Sequence, residues 1–406
     1  MKRALPLLLL VLLCRCGGSG GGDATKHPRP TAWNPDDPGL SARLDDAFAR
    51  WAAEHSAIGA AGAVYTPGWL DWTGATGVVS TDTNTPFTVD SVGRVASATK
   101  PFTATLIFKL RDEGKISLDT KLAQFIPDYP NGDRITVEDL LRHRSGIPEL
   151  QLADGFFIGT AILEDQHWFT PLEIMDWTHL PIPMLDVLDG TLVPRKPVTV
   201  PGGDFHYAQP NFIALGMMIE SITGQKLADV YAERILRPLR LEHTHLPVMD
   251  EPLDPDGYSN LFGLLPKRIP TSSLVQSGNS LNSSAWSAGG MVSSAHDLVT
   301  FLSALLEGRL YSAEDLADAQ DWLPTDDNTP VGEGDDYGMA LDRQTHDGLT
   351  YIGHDGALPG SSSTMKYVPQ LDVYIGDVTN CDLVSLDGAR DLELRVAHAL
   401  RNEPQD

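Results

Sequence analysis

Apolar and polar positions alternate along this chain in a way that divides it into a strand-rich start, a helical middle and a strand-rich end. Leu44, Phe48 and Trp51 recur at helical spacing and predict an amphipathic opening helix. Strand-like runs follow over Gly59–Tyr65 and Trp72–Ser80, with Thr66-Pro67-Gly68 as the turn between them. After Lys100, the residues Phe102, Leu106, Ile107 and Leu110 form an apolar helical stripe that ends near Gly114. Thr136 is placed to cap a short helix within Ile135–Leu141. Further helices are expected over Asn211–Ser221, from Ala295 onward, and over Leu386–Leu400. Tyr351–Gly353, Ser361–Val368 and Leu371–Asp377 read as strands separated by Gly and Pro. This order predicts an α/β protein of the α+β type. One antiparallel sheet, flanked by helices, is assembled from residues 41–96 and 340–402, with a mostly helical region inserted over about 101–305.

Composition narrows the function classes. The 406 residues are 42% hydrophobic and 21% charged, ordinary for a globular protein with an ample core. A formal net charge of -25 argues against nucleic acid as a partner and reads as a well-solvated surface. Lys2 and Arg3 precede an apolar run, Ala4–Leu13, that is too short for a membrane span of roughly 20 residues. Residues 1–16 therefore read as a secretory leader, and the protein is expected outside the cytoplasm, secreted or in the cell envelope. Cys14 and Cys16, followed by a Gly-rich run, fit a bacterial lipoprotein pattern. Leu13 and Arg15 are not the small residues usual before a lipidated cysteine, so a membrane tether and ordinary secretion stand as alternatives. Residues 17–40 are expected to form a disordered tether, and 41–402 the folded domain. Only Cys381 remains in that domain, which excludes an internal disulfide framework.

Candidate chemistry centres on Ser97-Ala98-Thr99-Lys100. If this stretch opens a helix, a spacing of three puts hydroxyl and amine on one face, where the amine can take the hydroxyl proton. The chain contains a decoy, Ser363-Thr364-Met365-Lys366, in an extended run where residues three apart point to opposite faces. An isolated serine at a helix start is most often a cap and a nearby lysine most often solvated, so the spacing alone decides nothing. His143, near Ser145, reads as part of a structural helix end. His243-Thr244-His245 has a spacing seen in metal sites but no third ligand, so no metal and no cofactor are expected.

Two further motifs follow in order: Tyr207-Ala208-Gln209, and His354-Asp355-Gly356 before Ala357. With Leu140–Gly146 and Ala288–Ser294 as landmarks, the chain resembles the serine β-lactamase and penicillin-recognising superfamily. The closest branch holds class C β-lactamases, serine DD-carboxypeptidases and related esterases. The resemblance implies a β-lactamase/transpeptidase-like fold and an acyl-enzyme formed on Ser97. Lys100 would be the general base, provided that its amine is largely neutral. Tyr207 would share the proton traffic, its phenolate favoured by the same lysine. The backbone N–H groups of Ser97 and Ala357 would form the oxyanion hole. Gln209 stands where the family usually has Asn, as a substrate- or lysine-binding amide. His354 would assist an anionic substrate only when protonated. Asp355, where the family often has Thr or Ser, would bind alongside Gly356 and repel a substrate carboxylate if it faces the pocket. A pocket wall is expected from Gln151–Pro201, where Phe156, Phe157, Trp168 and Phe169 read equally as an apolar acyl site or as core. The implied function is a serine hydrolase acting on a small-molecule or peptide amide or ester. Peptidase and esterase activities rank ahead of β-lactamase. The alternative is a catalytically weak penicillin- or peptidoglycan-binding or sensor domain.

Overall fold

The computed structural model describes residues 27–149, 166–179, 183–185, 192–194, 200–251, 256–260, 267–273, 278–325, 336–382 and 387–404. The proposed leader, Cys14, Cys16, Phe156 and Phe157 lie outside the described residues. The first helix, α1 (Leu40–Glu54), turns Leu44, Phe48 and Trp51 inward, as its spacing predicts. The residues just before it are not a disordered tether. From His27 they pack on the domain, where the buried indole of Trp33 donates to the Leu371 carbonyl at 2.8 Å. Burying that ring supplies the apolar area that the Gly- and Pro-rich run otherwise lacks.

Among the described residues, nine antiparallel strands form the main sheet: β1 (Gly59–Thr66), β2 (Leu70–Ser80), β3 (Thr85–Pro86), β4 (Leu323–Pro324), β5 (Asp336–Tyr337), β6 (Asp342–His346), β7 (Leu349–Leu358), β8 (Ser361–Val368) and β9 (Val373–Thr379). Their spatial order is β4-β5-β6-β7-β8-β9-β1-β2-β3, so the first strand of the chain pairs with the last. Both ends of the chain thus build one sheet, with the helical region inserted between them.

Alternation along the central strands splits the core in two. Val64, Tyr351, Val373 and Ile375 face α1 and the last helix, α7 (Asp387–Arg401). Ala61, Ala63, Met365 and Val378 face the inserted helices. These include α2 (Lys100–Asp112), α3 (Val137–Leu141), α4 (Gln209–Thr223), α5 (Asn279–Gly289) and α6 (Ala295–Leu306). Helix α2 is buried nearly all round, with Phe102, Leu106, Ile107 and Leu110 fully enclosed, so it is the central helix of that layer. Thr136 caps α3 through a reciprocal capping box with Asp139.

Candidate active site

Ser97 lies in a single 3-10 turn, Ala96–Thr99, that runs directly into α2. Ala96, at φ 46°, takes a left-handed conformation rare for alanine, so the turn before the serine is strained. Strand β7 passes close beneath it. A Cβ on Gly356 would stand 2.0 Å from the Val95 carbonyl, so only glycine lets the strand approach. Gly356 thus supplies the backbone clearance that lets the strand lie against the turn before Ser97. Ser363, from the decoy pair, donates to the same carbonyl at 2.8 Å and helps fix the turn.

Lys100, the first residue of α2, is fully buried. Its Nζ is 3.0 Å from Ser97 Oγ, 3.2 Å from Gln209 Oε1 and 2.8 Å from the Ala288 carbonyl. No carboxylate lies within ion-pair distance of it among the described residues. Burial lowers its pKa to about 7, against a weaker opposing pull from Glu149. A neutral amine has two hydrogens and one lone pair, and two of its three neighbours are acceptors only. With both hydrogens on Gln209 and Ala288, the lone pair is left for the Ser97 hydroxyl.

Tyr207 sits just before α4, and Lys100 Nζ lies 4.8 Å from the centre of its ring. Burial pushes the phenol well above its usual value, while a hydrogen bond with Ser97 pulls the other way. This corrects the expected phenolate. Desolvation penalises both charged forms, so the phenol stays neutral and the amine is increasingly neutral as pH rises through about 7. The N–H of Gln209 opens α4 by donating to Glu149 Oε2 at 2.6 Å. That places a carboxylate at the helix N-terminus beside both Lys100 and Tyr207. No motif in the sequence pointed to Glu149.

The third motif divides between the two faces of the sheet. His354 faces Tyr207, with ring centres 6.3 Å apart. Its Nδ1 is 2.6 Å from the Asp355 carbonyl and its Nε2 is 3.2 Å from the Tyr337 hydroxyl. The carbonyl can only accept, so Nδ1 carries the proton and Nε2 accepts from the phenol. Burial, then repulsion from Lys100, hold His354 well below the usual histidine range. It is therefore neutral, which corrects the expectation of a charge offered to an anionic substrate. Asp355 is corrected more fully. Its Oδ2 is 3.0 Å from the buried Lys366 Nζ, which also pairs with Asp342 Oδ1. Successive strand residues point to opposite faces, so Asp355 lies on the α7 side and not in the pocket. Ala357 lies beyond the end of the β6–β7 pairing, which stops at Gly353, and among the described residues no strand pairs with that edge there.

Of the apolar pocket candidates, Phe169 packs at 5.0 Å against Trp177 and is buried. Trp168 and Phe169 together line a surface cavity of about 310 Å³ with Met249 and Trp286, and neither Ser97 nor Lys100 is among its lining residues. His245 Nε2 pairs with Glu251 at 2.6 Å, and no group of metal-ligating side chains occurs among the described residues.

Known proteins resemble this chain in sequence and in fold. A family model described as Beta-lactamase matches residues 44–399. The chain belongs to that family and is a serine hydrolase. Penicillin-binding protein 4 of Amycolatopsis lactamdurans is 28% identical, covering 84% of this chain and 85% of its own length. Esterase EstB of Burkholderia gladioli is 26% identical, covering 71% and 76%. Among solved structures, the D-amino acid amidase of Ochrobactrum anthropi SV3, complexed with L-phenylalanine amide, superposes with a TM-score of 0.73 at 25% identity. That superposition covers 90% of this chain and 98% of the amidase. Some other relatives are longer, and the chain spans about half their length. The β-lactamase/transpeptidase-like fold expected from the motifs is therefore the family's fold.

Proposed function

We propose that this hydrolase cleaves amides or esters whose acyl part carries a protonated amine, through an acyl-enzyme on Ser97. The observation that carries the chemistry is the three-way environment of Lys100, which leaves its lone pair only the Ser97 hydroxyl. Ser97 Oγ bonds to the carbonyl carbon while its proton passes to Lys100 Nζ. The oxyanion is received by the N–H groups of Ser97 and Ala357. Collapse breaks the bond to the leaving group, which takes the Tyr207 phenol proton, and the phenolate recovers a proton from the Lys100 ammonium. The net transfer is one proton from serine to leaving group. Water then repeats the sequence against the acyl-enzyme.

Substrate charge is argued from Glu149. Its carboxylate acts on both Lys100 and Tyr207, and Asp355 is turned away from the site. A carboxylate beside the reacting groups favours a cationic acyl part and disfavours an anionic one. An amino acid amide, the ligand of the similar amidase, has that charge. The repulsion of a substrate carboxylate, expected from Asp355, is thus attributed to Glu149. The test compares kcat/KM for phenylalanine p-nitroanilide, in D and L forms, with the N-acetylated compounds. We expect the free amine to be preferred roughly tenfold or more, and Glu149→Gln to remove the preference. Equal rates on free and acetylated substrates in the wild-type protein would reject it. Secretion, with or without a lipid on Cys14 or Cys16, is proposed from the leader pattern, and fractionation of cells expressing the full chain tests it.

A further inference from the structure

We propose that His143 is a positioning residue that sets Tyr207 for protonation of the leaving group. The inference rests on the proposed role of Tyr207 as proton donor. His143 follows α3 in a left-handed conformation, φ 54°, and is fully buried. From there it grips three consecutive residues. Its carbonyl accepts the His206 N–H at 2.7 Å. Its ring stacks on the Tyr207 phenol with centres 4.2 Å apart and planes 30° apart. Its Nδ1 accepts the Ala208 N–H at 3.1 Å and lies 3.0 Å from Asn211 Nδ2.

These contacts settle the state of the imidazole. Two N–H donors converge on Nδ1, so Nδ1 is the acceptor and the proton is on Nε2. A protonated ring would set a third N–H against those donors. Burial and the nearby Lys100 likewise favour the neutral form. The ring is therefore a fixed, uncharged plate against one face of the phenol. It takes no proton in the reaction and touches no reacting atom. Residues 205–208, which lead into α4, belong to no strand, so this loop-to-loop grip stands in for a ladder there.

A proton donor acts over a hydrogen-bond distance, so a small displacement of the phenol hydroxyl removes its contribution. The loss depends on the leaving group. An amine must be protonated before it departs, whereas p-nitrophenolate leaves as an anion. A residue that only maintained the fold would lower both reactions together.

The test measures kcat/KM for an amide and a p-nitrophenyl ester of one acyl group in wild type, His143→Asn, Asn211→Ala and Tyr207→Phe. An asparagine side chain in place of the imidazole retains an acceptor for the Ala208 N–H but has no ring face. We expect His143→Asn to lower the amide rate roughly ten- to a hundred-fold and the ester rate by less than about threefold, in the pattern of Tyr207→Phe. Asn211→Ala, which frees the same ring from its other donor, should shift the amide-to-ester ratio the same way by a smaller factor. Equal losses on the two substrates, or an unchanged ratio in both variants, would overturn the proposal. Labelling of Ser97 by a fluorophosphonate keeps the outcomes separate. If wild type is not labelled, the nucleophile assignment fails. If it is labelled and Tyr207→Phe leaves the ratio unchanged, the donor assignment fails, and the His143 proposal with it.

Discussion

The chain contains two Ser-x-x-Lys segments, and both lysines are fully buried, yet their surroundings drive them in opposite directions. Lys100 meets a hydroxyl, an amide oxygen and a carbonyl, and its pKa falls to about 7. Lys366 meets Asp342 and Asp355, and its pKa is pushed above the ordinary lysine value despite the same burial. Neutral acceptors solvate an ammonium without offsetting the cost of burying its charge, whereas two carboxylates more than offset it. The serines differ just as plainly. Ser97 lies within 3.0 Å of its lysine, while Ser363 is on the opposite face of β8 from Lys366 and donates to the Val95 carbonyl. Backbone geometry and the lysine's neighbours together separate a pair poised for catalysis from a structural one.

The largest expected effect distinguishes the two serines. Ser97→Ala should abolish fluorophosphonate labelling and lower kcat/KM on an activated ester at least about a thousandfold. Ser363→Ala should retain stoichiometric labelling and stay within about tenfold of wild type, since it loses only a supporting hydrogen bond. Comparable losses in the two variants would erase the distinction drawn between the segments.

The lysines should differ in stability more than in activity alone. Lys366→Met leaves Asp342 and Asp355 buried without a counter-charge, and is expected to cost about 3–5 kcal/mol in chemical denaturation. Lys100→Met should abolish turnover yet raise stability at pH 6. The folded pKa of Lys100, about 7, lies below the ordinary lysine value of 10.5, so the native state binds fewer protons than the unfolded chain between them. Its burden is full below that window and disappears as pH rises through it. The stability gain of Lys100→Met should therefore be largest at acidic pH and vanish above about pH 10.5. Destabilisation by Lys100→Met at pH 6 would contradict this.

The elements legible in the sequence were those with a local signal. The helical stripe after Lys100, the Thr136 cap and the strands marked off by Gly and Pro near the C-terminus all appear, the last strand shifted by two residues. So does the joining of both chain ends in one sheet. What failed was assignment to a face. Asp355 belongs to a motif next to the site, but its direction is set by the pleat and by Lys366, two strands' worth of information that a motif does not hold. Charge states failed for the same reason. His354 and Tyr207 are neutral because the fold desolvates them, and burial by distant segments has no local spelling. Glu149 has no motif and His143 reads as a structural helix end, because each acts from a loop through contacts with α4 or the residues just before it. The packing of Trp33 on Leu371 is equally long-range, linking residues 338 apart.

The smallest effect is the most specific, because it reads the Lys100 environment without removing any of it. If neutral Lys100 is the base, kcat/KM on a neutral ester should rise about tenfold per pH unit below its pKa and level off above about pH 7. His354 and Tyr207 should not add inflections between pH 6 and 9, because burial moves the first below that range and the second above it. Glu149 holds the lysine pKa up, so Glu149→Gln should move the inflection to lower pH while leaving the plateau for a neutral ester nearly unchanged. Lys366, paired with two carboxylates, is charged throughout this range, so Asp342→Asn should leave the inflection in place. A profile that shifts with Asp342→Asn but not with Glu149→Gln would mean that the two buried lysines are coupled, and the contrast between an unpaired catalytic amine and a paired structural one would not hold.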